Sequence, residues 1–349
     1  MAWIKKYGGV IAFNILVILV LLASLETAFL LLVRNPAVLK SCPRSIRNTV
    51  GHLYAQERST IQFLPECARY DEELGYTLKP GACTFSGREF STSYEINRLG
   101  LRDDEASLAG PDVVVLGDSF AMGWGVEQEE AFPKVLEKRI GLNVLNAAIS
   151  SYGTAREMIL LRRIPRDRLR YLVIQYCGND YEENREFHRG GNRLRVMSAG
   201  DYHSYGKVLE KSKDYFFGKY LLLKIQKKLR EWRQRSGEAH AASRDPDEVE
   251  LFIHAVVNGG VDLEGVRLIT FVMNGRNPAD NLPFTEALRQ RVAQSNGPRY
   301  IRDMIVLDLS GMLYEDHFFV LDDHLNRGGH EVIAGALAKI ILEAQRPSR

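Results

Sequence analysis

Five short apolar runs, each followed by a stretch with helical spacing, constrain this chain more than any other feature. They are VVVL (113–116), LNVLNAA (142–148), YLVIQYC (171–177), RLITFVM (267–273) and MIVLDLS (304–310), and they are near-continuously apolar rather than alternating. A strand that is apolar on both sides must be covered on both sides. Parallel strands joined through crossover helices meet that condition. AFPKVLEKRI sets Phe132, Val135, Leu136 and Ile140 on one helical face. RGGHEVIAGALAKIILEAQ repeats Ile333, Leu337, Ile340, Ile341 and Ala344 at helical spacing, with Asn326 placed to cap it. The sequence predicts a three-layer α/β/α domain over 111–346 with a parallel sheet at its centre.

Ahead of that domain, GGVIAFNILVILVLLASLETAFLLLV (8–33) is broken only by Asn14 and Glu26. It exceeds the roughly 20 residues a helix needs to cross a bilayer. A cleaved signal peptide would have a shorter apolar region and a small-residue cleavage site at its end, and no A-x-A stands there. The segment is expected to be an uncleaved single-pass anchor behind a short tail (1–7). Lys5 and Lys6 favour an inside tail, while Arg34, Lys40, Arg44 and Arg47 beyond the span pull the Lys/Arg count the other way. Cys42, Cys67 and Cys83 gather soon after the span, which suits a disulfide-permissive compartment with at most one bridge and a free thiol. The expected topology is therefore tail inside and large domain outside. Cys177, in an apolar run, reads as a small buried hydrophobe.

The 349 residues are 45% hydrophobic and 26% charged with a net charge of +2, so the chain has ample material for a core and no excess of charge for nucleic acid. No paired Cys-x-x-Cys spacing points to a structural zinc site. Residues 34–110 form a juxtamembrane preamble in which Tyr94 and Ile96 alternate before a turn at Gly100. An insertion over 181–248 carries no clear strand. Within it, DYFFGKYLLLKIQKKLREWRQR places Phe217, Leu221, Leu222, Ile225, Leu229 and Trp232 on one helical face, with Lys224, Lys227, Lys228, Arg230 and Arg233 available for the other. The favoured expectation is a helix packed on the domain with its basic face solvated. The sharper one is a helix resting on anionic headgroups, or lining the way in for an acidic polymer. RQRSGEAHAASRDPDE then reads as a polar linker.

The chemistry-bearing residues stand at the ends of the expected strands. Ser119 follows the first, Asn146 and Gly153 the second, Gly178, Asn179 and Asp180 the third, and Asp322, Asp323 and His324 the fifth. Parallel strands bring such ends to one edge of the sheet, where ligands bind. A serine hydroxyl is a weak nucleophile and needs a base to take its proton, and His324 is the natural one. Asp322, with Asp323 as the alternative, is placed to fix the tautomer of that imidazole. A developing oxyanion requires fixed donors, which Asn179 can supply from its side chain and Gly153 and Ser119 from their backbone amides. Glycine at 153 and 178 would let the backbone approach a substrate closely.

GDSF (117–120), Gly153, GND (178–180) and the Asp/His pair before the last helix resemble the four sequence blocks of the SGNH (GDSL-type) hydrolase family, in that family's order. The resemblance covers about 111–346. The preamble NRLGLRDDE also resembles segments of membrane-anchored bacterial members. It implies a flavodoxin-like α/β/α fold and ester or acyl-transfer chemistry without metal or other cofactor. It also implies Ser119 as nucleophile, His324 as base, and Ser119, Gly153 and Asn179 as the oxyanion hole. The expected function is a serine esterase of a bacterial inner membrane, its domain periplasmic or extracellular, removing O-acyl groups from a surface glycan. An O-acyltransferase, which would need a membrane partner to supply acyl groups, and a non-catalytic glycan-binding protein are the alternatives. The family pattern puts the aspartate three residues before the histidine, where Leu321 stands here. Asp322 gives a D-x-H spacing that resembles the alginate-type O-acetyltransferase branch. Ala121 takes the last position of what would be a G-x-S-x-G elbow, which disfavours an α/β-hydrolase.

Blander roles are expected for other tempting residues. His330 reads as a surface or packing residue, His317 and Asp316 as loop packing, Asp118 as a turn-former, and Asp180 as a support for its loop. Trp124 suits a sugar platform and core packing equally.

Overall fold

The computed structural model describes residues 2–237 and 247–346. Part of the polar linker expected over 233–248 lies outside the described residues. The chain opens on α1 (Ala2–Arg34), α2 (Pro36–Lys40) and α3 (Arg44–Ala55). Two antiparallel pairs follow, β1 (Ala68–Asp71) with β2 (Gly75–Leu78) and β3 (Gly81–Ser86) with β4 (Ser91–Ile96). The alternation read around Tyr94 and Ile96 is that of β4, whose residues are in turn exposed and buried. Cys67 and Cys83 form a disulfide, and Cys42 is free.

Then come β5 (Val113–Leu116), α4 (Ser119–Met122), α5 (Phe132–Ile140), β6 (Val144–Asn146), α6 (Thr154–Leu161) and β7 (Tyr171–Tyr176). The insertion is helical: α7 (Asp180–Arg189), α8 (Ala199–Ser212) and α9 (Lys219–Gly237). After α10 (Glu248–Asn258), β8 (Arg267–Val272), α11 (Leu282–Ala293), α12 (Arg299–Arg302) and β9 (Ile305–Leu307), the chain closes on α13 (Arg327–Gln345). Each apolar run is a strand, trimmed at its ends where the ladder stops.

By internal contacts the chain divides into two units: 1–58 with 210–244 and 320–322, and the remainder. Residues 59–110 therefore group with the sheet and 34–58 with α1.

The larger unit is a five-stranded, wholly parallel sheet in the order β6-β5-β7-β8-β9. This is the 2-1-3-4-5 order of flavodoxin-like folds. Alternate strand residues serve opposite faces. Val113, Val115, Val173 and Phe271 pack with Phe132 and Leu337 of α5 and α13. Val114, Leu116, Leu172 and Ile174 pack with Met158 of α6 and Phe252 of α10. Helices on both faces are why the strands are apolar throughout. Asn326 caps α13 by accepting from Gly329 N at 3.3 Å.

In the smaller unit, Tyr7–Arg34 is the one helix among the described residues long and apolar enough to cross a membrane, with a mean hydropathy of 2.7. Its large apolar side chains from Val10 to Leu25 are exposed, whereas Phe29 and Val33 are buried with Leu39, Val50, Leu53 and Tyr220. Glu26, the one acid in the apolar run, is buried and accepts from the first-turn amides of α9, Tyr220 N at 3.2 Å and Leu221 N at 3.0 Å. A carboxylate at a helix N-terminus meets unpaired amides and the positive end of the helix dipole. That anchoring turns Tyr220, Leu221 and Leu223 inward. The face expected to pack on the domain is instead exposed at Leu222, Ile225, Leu229 and Trp232, as is Phe217.

Lys219 and Glu57 form a buried pair at 2.8 Å, with Tyr220 OH also donating to Glu57 Oε1 at 3.2 Å. Breaking one side of such a pair strands the other charge. Lys219→Met is expected to destabilise the smaller unit by about 3–5 kcal/mol, and Lys219→Met with Glu57→Leu to recover most of that loss. A double-mutant cycle on unfolding of the full chain in detergent reads the difference.

Candidate active site

The nucleophile candidate is placed by its neighbours in the chain. At Gly117, where φ is +153°, a Cβ would fall 2.6 Å from Gln175 Oε1 and 2.7 Å from Ala121 Cβ, so only glycine fits. Asp118 N donates to Gln175 Oε1 at 3.0 Å, and Asp118 Oδ1 accepts from Phe120 N at 2.9 Å, capping α4. Asp118 is thus the turn-former its position suggests. Ser119 becomes the first residue of α4, at the carboxyl end of β5, where the strand order reverses.

His324 meets it there. Its Nε2 lies 2.7 Å from Ser119 Oγ, and the two residues are only 3% and 8% exposed. The ring is held as well as placed. Trp124 stacks on it at 4.6 Å and 13° between planes, and Phe120 packs at 4.8 Å. Trp124 is buried, so it is no exposed sugar platform, and its work is to fix the imidazole plane.

The two aspartates before the histidine stand differently. Asp323 Oδ1 is 3.5 Å from His324 Nδ1, at the limit of a hydrogen bond, and its side chain is 54% exposed. Asp322 is buried and accepts from Arg58 Nη1 at 2.9 Å.

The loop after the second strand of the sheet differs from expectation. Gly153 N donates to Glu183 Oε1 at 3.1 Å, so in this structure it is not an open oxyanion donor. The cause is helix capping: Glu183 and Asn184 of α7 accept the Gly153 and Ala155 amides at the start of α6, and Asp180 Oδ2 accepts from Thr154 Oγ1 at 2.9 Å. The backbone φ at Gly153 is an ordinary −98°, and a Cβ there would lie 3.0 Å from Glu183 Oε1 and 3.3 Å from Asp180 Cα, close enough that the Glu183 side chain would have to shift. Gly178 N is likewise engaged, by Asn274 Oδ1 at 2.6 Å. Asn179 is exposed at the start of α7, its side chain making no cap bond, and Asn146 is tied to Asp103 and Met122. His330 proves to be a buried packing residue, its Nδ1 accepting from Phe132 N at 3.2 Å, and His317 folds back on Tyr314 N at 3.0 Å.

One support escaped the sequence reading. Arg102, buried, lies 3.5 Å over the Tyr94 ring and donates to Met122 O at 3.1 Å, to Gly123 O, and to Val126 O at 2.6 Å. It therefore clamps the loop carrying Trp124. Glu157 is wholly buried in α6, and its carboxyl is raised well above its ordinary range by burial and by Asp180, Asp118 and Glu183. The same causes, burial first, raise Asp180. Burial also pushes the Asp118 carboxyl up to about 6, against the pull of the Phe120 amide and His324.

No family model matches the sequence, and no curated protein is significantly similar to it. Among solved structures, a protein described as lipolytic and of the G-D-S-L family from Desulfitobacterium hafniense DCB-2 is 12% identical with a TM-score of 0.34, covering 65% of this chain and 98% of that one. A carbohydrate esterase family 2 enzyme with its carbohydrate-binding domain, from Corynascus thermopiles (Myceliophthora fergusii), is 14% identical with a TM-score of 0.36. That match covers 66% of this chain and 65% of the other. The fold class is fixed by the strand order and parallel register of β5 to β9 themselves.

Arg102→Met should leave Val126 O without its donor and remove one donor each from Met122 O and Gly123 O, which keep Asn146 Nδ2 and Tyr94 OH, at a cost of about 1–3 kcal/mol and with the near-ultraviolet signal of Trp124 changed. Asp118 gives a pH-dependent outcome. Its folded value of about 6 exceeds the ordinary 3.8, so between those values the folded carboxyl keeps a proton the unfolded chain has lost. Stability therefore falls as pH rises through that window and stays lower above it, by up to about 3 kcal/mol. Asp118→Asn, which keeps the acceptor for Phe120 N, should raise the unfolding midpoint at about pH 8 and leave it nearly unchanged at about pH 4.

Proposed function

We propose that this chain is a membrane-anchored serine esterase of the SGNH type that removes short O-acyl groups, acetyl above all, from a cell-surface glycan. The observation that carries the reading is the buried 2.7 Å contact of Ser119 Oγ with His324 Nε2. Binding alone has no need of a base beside a serine. His324 takes the hydroxyl proton as Ser119 Oγ attacks the ester carbonyl, and returns it to the departing sugar oxygen. Water, deprotonated by the same imidazole, then attacks the acyl-enzyme and releases the carboxylic acid and free Ser119.

Asp322 is the carboxylate assigned to orient His324. It is the buried one, held by Arg58 Nη1 at 2.9 Å, whereas Asp323 is largely in water at the limit of bonding distance. The oxyanion falls to the Ser119 backbone amide and the Asn179 side chain, with Gly153 joining once Glu183 leaves its amide. α1 anchors the chain in a bacterial cell membrane, and the Cys67–Cys83 bridge supports a domain on the oxidising side. An acyltransferase differs in one step only, a sugar hydroxyl replacing water.

A serine-reactive phosphonate is expected to label the full chain at Ser119. His324→Ala should slow labelling at least about 10³-fold and Ser119→Ala should abolish it. Labelling that ignores both substitutions would sink the reading. Acetate released from an activated acetyl ester without any sugar acceptor identifies the esterase, and strict acceptor dependence identifies the transferase.

A further inference from the structure

We infer that α9 lies in the headgroup layer of an anionic phospholipid bilayer, beside the point where α1 leaves the hydrocarbon. The inference rests on the anchor reading of α1 and adds a second, lipid-selective contact to it. It begins with depth. Residues 7–25 carry no charge and are largely exposed along α1. At 1.5 Å per residue they span about 28 Å, close to the ~30 Å of a hydrocarbon core. Glu26 is the first charge after that run, and it holds the N-terminal amides of α9. The ladder of α9 thus starts at the level where the apolar run of α1 ends.

The composition of α9 suits that depth. Leu222, Ile225, Leu229 and Trp232 recur at spacings of three and four, which makes one stripe, and they are 43%, 57%, 49% and 67% exposed. Phe216 and Phe217 continue the apolar surface at its start. Around the helix from that stripe, Lys224, Lys227, Lys228 and Arg230 line a cleft of about 480 Å³ whose other wall is His52 and Gln56 at the end of α3. An apolar stripe flanked by lysines, with a tryptophan in the stripe, matches the boundary between acyl chains and phosphates. An acidic polymer would answer the lysines and leave the stripe in water. A protein partner would not explain why the stripe starts where the charge-free run stops.

The full chain, reconstituted in vesicles, provides the test through Trp232 emission in a Trp3→Phe background, quenched by lipids brominated at shallow or deep positions. Shallow bromines are expected to quench at least about twofold more than deep ones in phosphatidylcholine containing roughly 30% phosphatidylglycerol, and less in phosphatidylcholine alone. Lys224→Gln with Lys227→Gln and Lys228→Gln should remove the phosphatidylglycerol-dependent part, and the matching Lys→Arg set should keep it. Raising salt should reduce it in the unsubstituted chain, which needs no variant to fold. Quenching no greater than in Trp3→Phe with Trp232→Phe overturns the placement of α9. Equal quenching in the two lipid mixtures overturns the anionic preference. Resistance to carbonate extraction reports α1 separately, so loss of the protein on washing overturns the anchor and the inference together.

Discussion

Ser119 and His324 are separated by 205 positions in the chain and by 2.7 Å in space. Everything else in the larger unit bears on whether that contact can persist. A parallel sheet sends every strand's carboxyl end the same way, so residues after β5 and after β9 arrive at one edge without a dedicated connection. Arrival is not alignment, however. The imidazole is a flat ring on two rotatable bonds, and a ring free to turn would lose the contact for much of the time. Trp124 and Phe120 remove that freedom by lying against it, and Arg102 in turn removes the freedom of the loop carrying Trp124. The order of dependence runs from a buried guanidinium to a stacked indole to a proton acceptor.

Buried charge recurs as the device that makes such positions unique. Arg102 is held at its terminal nitrogens by backbone carbonyls, Glu26 by backbone amides, and Lys219 by Glu57. Each can be satisfied in only one arrangement, because a displaced buried charge faces the full cost of desolvation with no partner. Apolar packing alone tolerates small slips between neighbours. A residue that must be placed to within a few tenths of an ångström is better held by a polar group that has nowhere else to go. The acids beneath the third loop work differently. Burial and the neighbouring carboxylates raise the carboxyls of Glu157 and Asp180 well above their ordinary range.

What the sequence shows and what it hides follows from how local each cause is. The run VVVL is a strand because its own residues demand burial on both sides, and α13 follows from its own periodicity and its cap at Asn326. Ser119, Asn179 and His324 are legible because strand ends can be located from such patterns. Arg58, Arg102 and Trp124 owe their roles to partners 20 to 264 positions away, and nothing in their neighbours announces it. The clearest failure is α9. Its periodicity correctly marks an amphipathic helix, but periodicity cannot say what the apolar side faces. The answer came from Glu26, a residue whose only visible property in the sequence is to interrupt an apolar run. Gly153 is a related case: a glycine at a strand end signals close approach, without saying whether a substrate or a neighbouring helix does the approaching.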